Sequence, residues 1–385
     1  MHMSEELLKQ EIEWVDSNHR LEELCELWRE KPIIALDTEF IRSKTYYPIT
    51  GLIQVNDGDK NYLLDPKGLD DYYPLVELFD QENITFALHS CSEDLEVFSQ
   101  ELGCIPRNIF DTQVACAILG YGHSMGYAAT VEQVLDVSLP KSETRSDWLQ
   151  RPLSQSQIFY AALDVEYLYI LVHALIERLE DIGRLTWVIE EGATLFKNYK
   201  GQQDASHAYL RIKSAWKLSP RQLAGLVALS KWRENTAQSR DLPRNQVLKE
   251  SAVFQLAQLM PKHMSQLRDI EGFSDRVIRR DGHNIMDILS SAESLSEDAL
   301  PTVLAKPLNK TEQEELKQIR ACVREFAGEN SISPEILLKK KIYEHMVRYG
   351  YSNGPETDSN DEGYQLQGWR LPFLDAPLKE YFSKL

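Results

Sequence analysis

Ile33-Ile34-Ala35-Leu36-Asp37-Thr38-Glu39-Phe40 carries four apolar residues of strand character straight into two carboxylates spaced i, i+2. Alternate residues of a strand point to the same side of a sheet, so Asp37 and Glu39 are expected side by side at the end of a buried strand. Two like charges are costly to bury unless a cation neutralises them. Mg²⁺ or Mn²⁺ does so with hard oxygen ligands. A strand ending in a solvated acidic turn is the other reading of the same eight residues, and the rest of the chain decides between them.

Outward from this segment, strand-like and helix-like runs alternate over the first ~180 residues, as they do in α/β domains. Strands are expected at 33–37, 51–56, 61–65 and 84–89, with helices at 93–102, 111–120, 127–135 and 154–171. From about residue 185 onward the periodicity is helical to the end. Leu218-Ser219-Pro220 gives a helix start, with serine as N-cap and proline at the first helical position. A break at 294–311, containing Pro301 and Pro307, separates two helical regions. The acidic, polar stretch 352–363, with Gly354 and Pro355, is expected as a mobile loop. Three domains follow: an α/β domain over 1–200, a helical domain over 212–293 and a second helical domain over 306–385.

Composition agrees with several cores, since the chain has 385 residues of which 43% are hydrophobic. No apolar run approaches the ~20 residues of a membrane helix, and the charged N-terminus does not read as a signal peptide. The five scattered cysteines have no C-x-x-C spacing and read as reduced thiols. A cytoplasmic protein without a membrane partner is expected. The net charge of −18 argues at first sight against a polyanionic partner. The distribution says otherwise: residues 1–200 carry 16 basic and 35 acidic side chains, whereas 212–290 carry 13 basic and 8 acidic. Nucleic acid is therefore not excluded.

Two further acidic positions matter. In Ile84-Thr85-Phe86-Ala87-Leu88-His89-Ser90-Cys91-Ser92-Glu93-Asp94-Leu95 a strand runs through a polar turn into a helix with Asp94 in its first turn. The helix dipole alone favours an acid there, and Ser90 with Glu93 has capping-box spacing. In Tyr160-Ala161-Ala162-Leu163-Asp164 the i, i+4 spacing puts phenol and carboxylate on one helix face. Each motif is weak by itself. Together and in this order they resemble the DEDD superfamily of 3′–5′ exonucleases, in its tyrosine-bearing branch. Phe110-Asp111-Thr112-Gln113, Lys141-Ser142-Glu143-Thr144-Arg145-Ser146-Asp147-Trp148 and Tyr160 to Val165 are similar to the ribonuclease D family. Leu218 to Leu223, Leu229-Ser230-Lys231-Trp232-Arg233 and Arg240 to Asn245 resemble the HRDC-type helical nucleic-acid-binding domain of that family.

The resemblance implies an RNase H-like α/β exonuclease domain, a mixed sheet flanked by helices, followed by two all-α HRDC-like domains. It implies a metal-dependent 3′–5′ exoribonuclease that releases nucleoside 5′-monophosphates and trims 3′ ends of tRNA precursors and other small structured RNAs. Asp37, Glu39 and Asp164 would hold one divalent ion, Mg²⁺ or Mn²⁺, and Asp37 with Asp94 a second. Two ions suit phosphodiester hydrolysis because one activates water and the other clamps the leaving oxygen. Tyr160 would orient the attacking water, since a phenol with a reference pKa of ~10 is a poor base at neutral pH.

Arg145 and Trp148 are candidates for phosphate pairing and base stacking, against the reading of a buried tryptophan beside a surface ion pair. His89 reads as a satisfied core histidine rather than a ligand, and Asp111 as the cap of the helix that starts at Thr112. In the basic segment Lys231, Arg233, Arg240 and Arg244 are expected to contact backbone phosphate, with little sequence information. The expected partner is RNA with a single-stranded 3′ tail, bound by a monomer. A DNA 3′–5′ exonuclease and a non-catalytic RNA-binding scaffold are the alternatives.

Overall fold

The computed structural model describes residues 7–140, 143, 146–199, 205–351 and 366–384. Arg145 and the expected mobile loop at 352–363 lie outside the described residues. Six strands form one mixed sheet: β1 Ile12–Val15, β2 Ile33–Ile41, β3 Ile49–Asn56, β4 Asn61–Leu64, β5 Thr85–Leu88 and β6 Ile109–Asp111, in the order β1-β4-β3-β2-β5-β6. β1 runs parallel to β4, β4 antiparallel to β3, and β5 parallel to both β2 and β6. The central strand does not end at Asp37 as expected. Phe40 and Ile41 prolong the strand-favouring run, so Asp37 and Glu39 sit within β2 instead of at its tip.

Among the described residues seven helices accompany the sheet: α1 Asn18–Trp28, α2 Tyr73–Phe79, α3 Ser92–Leu102, α4 Thr112–Ile118, α5 Tyr127–Leu135, α6 Gln155–Asp181 and α7 Leu185–Tyr199. α6 starts in a capping box between Ser154 and Gln157. Its 27 residues have the length and hydropathy of a membrane span, contrary to the sequence expectation, yet over half of that window is buried inside the protein. Leu163, Leu168, Leu171 and Leu175 are all at most 2% exposed, which is the pattern of a core helix. It also carries Tyr160 and Asp164 to the sheet.

Beyond α7 every described element is helical: α8 Pro220–Ser239, α9 Arg244–Val247, α10 Glu250–Leu259, α11 Asp275–Glu293, α12 Lys310–Glu329, α13 Pro334–Leu337, α14 Lys340–Tyr349 and α15 Arg370–Ser383, with short 3₁₀ turns between some of them. Ser219 caps α8 with Gln222 and Pro220 as the sequence indicates. Packing divides the chain into two units, one of Met1–Ile41, Thr50–Asn198 and Leu308–Leu385, the other of Arg42–Ile49 and Tyr199–Pro307. The second unit has its own core around Leu223, Leu226, Leu229, Val253 and Ile285.

The segment read as a separate third domain instead shares the core of the α/β unit. Ile319, Val323 and Ala327 of α12, Leu337 and Met346 pack in one cluster with Ala115, Ile118, Leu171 and Leu175. Polar ties secure the seam. Ser333 N–H donates to the Ala117 carbonyl at 2.8 Å. Arg184 donates to the carbonyls of Ile118, Asn330 and Ser331. Trp187 stacks on Trp369 with ring centroids 4.4 Å apart. An apolar stripe at i, i+4 and i+8 on α12 states that the helix packs but not against what.

Candidate active site

β2 delivers Asp37 and Glu39 to one side of the sheet, and the i, i+4 spacing on α6 delivers Tyr160 and Asp164 to meet them. One oxygen from each of Asp37, Glu39 and Asp164 lies within 4.8 Å of the others. A cavity of about 240 Å³ opens over them, lined also by Thr38, His89, Tyr127 and Tyr160. Asp94 stands beside this trio in the first turn of α3, 8% exposed, and accepts a 2.6 Å hydrogen bond from the Thr38 hydroxyl.

Crowding and desolvation dominate the electrostatics. Desolvation, then the Asp164 charge, raises the Asp37 carboxyl well above the usual carboxylate range. Asp94 is raised likewise by desolvation and Asp37. Glu39 is pushed up to about 10 by desolvation and by Asp37, Asp164 and Asp94. Asp164 is raised to about 7 by desolvation, offset by a hydrogen bond from Tyr160. Desolvation and the Asp164 carboxylate raise the Tyr160 phenol too, so it stays protonated at neutral pH. Converging hard oxygen donors that resist ionising together are a donor set made for a divalent cation.

Two supporting residues, Thr38 and Tyr127, were not singled out in the sequence, and a third, Asp111, was read there only as a cap. Thr38 sits between the two β2 acids and clamps Asp94. Tyr127 donates its hydroxyl to the Asp164 backbone carbonyl at 2.6 Å, fixing that turn of α6. Asp111 does more than cap α4. Its carboxylate accepts from Ser90 N and Cys91 N as well as Gln113 N, holding the turn where Ser90 adopts φ 56° and α3 begins. The Ser90–Glu93 capping box accordingly does not form, because Ser90 lies before the N-cap in a left-handed conformation. His89 has both ring nitrogens engaged, with Thr112 Oγ1 at 2.8 Å and the Met125 carbonyl at 3.0 Å, as its reading as a satisfied histidine anticipates.

The expected nucleic-acid contacts are placed differently. Trp148 is 2% exposed and packs with Leu52, Leu63, Leu153 and Ala161, its ring centroid 6.3 Å from that of Tyr160. It is a buttress beneath Tyr160 and not a stacking platform for a base. Trp148→Ala should destabilise the fold by roughly 3–5 kcal/mol, read as a lowered urea midpoint. Lys231 is exposed, but Arg233, two residues on, is 4% exposed, because i and i+2 do not share a helix face. Arg240 donates twice to buried Asp281 at 2.7 and 3.3 Å. Arg244 donates to Glu234 at 2.6 and 2.7 Å and to the Tyr46 hydroxyl at 2.9 Å. These arginines hold the helical unit together through its own carboxylates, which a count of net charge does not reveal.

Comparison with known proteins places the chain in a family. A family profile described as 3′–5′ exonuclease matches residues 12–180, and one described as HRDC domain matches residues 222–289. The chain is 42% identical over 360 residues to a ribonuclease D of Pseudomonas paraeruginosa, covering 94% of each. The chain belongs to the ribonuclease D family. It is a 3′–5′ exoribonuclease, and Asp37, Glu39, Asp94, Tyr160 and Asp164 lie within its exonuclease segment. A ribonuclease D of Cronobacter turicensis is 37% identical, over 95% of this chain and 98% of that one. The crystal structure of Escherichia coli RNase D, described as an exoribonuclease involved in structured RNA processing, superposes with a TM-score of 0.86 at 34% identity, covering 98% of this chain and 99% of that one. Escherichia coli RNase D thus has the same overall fold over nearly the whole chain.

Proposed function

We propose that this exoribonuclease trims structured RNAs with single-stranded 3′ tails, tRNA precursors among them, releasing nucleoside 5′-monophosphates with the help of two divalent cations. The observation that carries the reading is the convergence of Asp37, Glu39 and Asp164 within 4.8 Å, with Asp94 alongside. Asp37, Glu39 and Asp164 would hold one ion, Asp37 and Asp94 the other, and Mg²⁺ or Mn²⁺ fits the all-oxygen set. Bound cations supply neutralisation of the charge that builds on the reacting phosphate and acidify the attacking water.

The chain's own residues do the rest. Tyr160, protonated and buttressed by Trp148, presents its hydroxyl beside Asp164 and orients the water without taking its proton. Tyr127 and Thr38 hold Asp164 and Asp94 in register. Tyr160→Phe should lower kcat roughly 10–100-fold while leaving the affinity for Mn²⁺ intact, checked by turnover and by titration of the metal. Unchanged turnover would remove the hydroxyl from the reaction.

A tRNA precursor with a few extra 3′ nucleotides, incubated with Mg²⁺, tests the substrate assignment. Conversion to the mature length with release of 5′-monophosphates supports it. Equal turnover of single-stranded DNA under the same conditions would make the enzyme a general 3′–5′ exonuclease.

A further inference from the structure

We propose that a second cavity, roofed by the C-terminal helices, is an RNA-backbone subsite that takes substrate phosphates behind the reacting 3′ end. It rests on the exoribonuclease reading but uses none of the catalytic acids. The cavity measures about 630 Å³, against about 240 Å³ over the acids. One wall is Val114 of α4 and His123; the other carries Arg320, Arg324, Lys339 and Lys340.

The cavity differs from the helical unit in how its cations are held, since there Arg240 and Arg244 each find a carboxylate. Here Arg370 is spent on Glu191 and on the Ile336 and Leu337 carbonyls, and Lys340 reaches Glu344 at 3.4 Å. Arg320, Arg324 and Lys339 have no ion-pair partner among the described residues, and Glu335 is the carboxylate left on the wall to oppose them. Arg320 is held over the Tyr343 ring, 5.4 Å from its centroid, which stiffens the guanidinium without neutralising it. Arg320 and Arg324 are one helical turn apart, with Cβ atoms about 5–6 Å from each other, and Lys339 comes from the turn before α14. Cations spread over two elements around an open cavity suit successive phosphates of a chain better than one enclosed anion.

Position supports the same ligand. His123 on this wall is two residues from Met125, whose carbonyl accepts from Gln113 Nε2 at 2.9 Å and meets His89 of the catalytic cavity at 3.0 Å. Two residues of chain span at most about 7 Å. The 123–125 loop therefore touches both cavities, His123 lining this one and Met125 holding His89 of the catalytic one.

The test uses the full chain in EDTA, where binding is read without cleavage. A 5′-fluorescein RNA with a stem and 3′ tail is titrated by anisotropy at several NaCl concentrations, alongside a labelled trinucleotide. Arg324→Ala/Lys339→Ala, both solvent-exposed positions, should weaken the tailed RNA on the order of tenfold and flatten the slope of log K against log salt by about 1.4, the share of two single-strand phosphate contacts. The trinucleotide should bind and, with Mg²⁺, be cleaved as by wild type, and Arg324→Lys/Lys339→Arg should restore the slope. An unchanged affinity and slope overturns the proposal, as does an equal loss on trinucleotide and tailed RNA. AMP binding that disappears in the variant while RNA affinity holds also overturns it, in favour of a free-nucleotide site. Failure of the exoribonuclease reading itself registers separately, as wild-type protein that leaves the trinucleotide intact with Mg²⁺.

Discussion

Asp37→Asn is expected to lower turnover at least about a thousandfold, a loss of ~4 kcal/mol of transition-state stabilisation, while the protein stays folded. Asp37 shares its surroundings with Asp164, Glu39 and Asp94, and each of their charges disfavours the others. An amide of the same shape removes one of the repelling charges and with it a ligand that both cations would need. In EDTA the variant should melt no lower than wild type, and relief of about 1 kcal/mol of repulsion would raise Tm by about 2–4 °C. A marked drop in Tm without metal would mean that the Asp37 carboxylate is a structural hydrogen-bond acceptor instead.

Removal of metal should make stability depend on pH in a defined direction. In the unfolded chain these carboxyls ionise near pH 4. In the fold Asp164 keeps its proton to about pH 7, and Asp37 and Asp94 are also raised. Between those limits the native state binds more protons at these groups than the unfolded one, so the stabilisation they contribute is fully present below about pH 4 and is lost as pH rises through 7. The slope is about 1.4 kcal/mol per pH unit for each group that retains its proton. In EDTA the denaturation midpoint should therefore fall from pH 5 to pH 7.5. Added Mn²⁺ should raise it more at pH 7.5 than at pH 5, since protons and metal compete for the same oxygens. A flat EDTA profile would indicate that the acids are already ionised and solvated.

The site was readable where chemistry and spacing coincide within one element. Asp37 with Glu39, and Tyr160 with Asp164, are pairs whose geometry follows from the period of a strand or a helix. Contacts across long separations were not readable. Nothing local says that Thr38 reaches Asp94, that Tyr127 reaches the Asp164 carbonyl, or that Arg240 spends its fork on Asp281. Trp148 illustrates the limit well: an arginine and a tryptophan near a candidate site fit stacking or packing equally, and only its burial against Leu52 and Leu63 decides. The alternation of strands and helices gave four strands of the sheet, but not β1, whose apolar residues are interleaved with Glu11 and Glu13, nor β6, which is three residues long. The docking of α12 on α4 and α6 depends on which of several apolar stripes meet, and that is a property of the assembled core.

The most direct test of the metal-assisted exonuclease is a 5′-labelled RNA with a stable stem and a short single-stranded 3′ tail, incubated with Mg²⁺, with Mn²⁺ and with EDTA. The carboxylate cluster predicts a ladder that shortens one nucleotide at a time from the 3′ end, present with metal and absent in EDTA. An RNA that shifts on a native gel but stays full length with either metal would contradict it and leave a binding scaffold in its place.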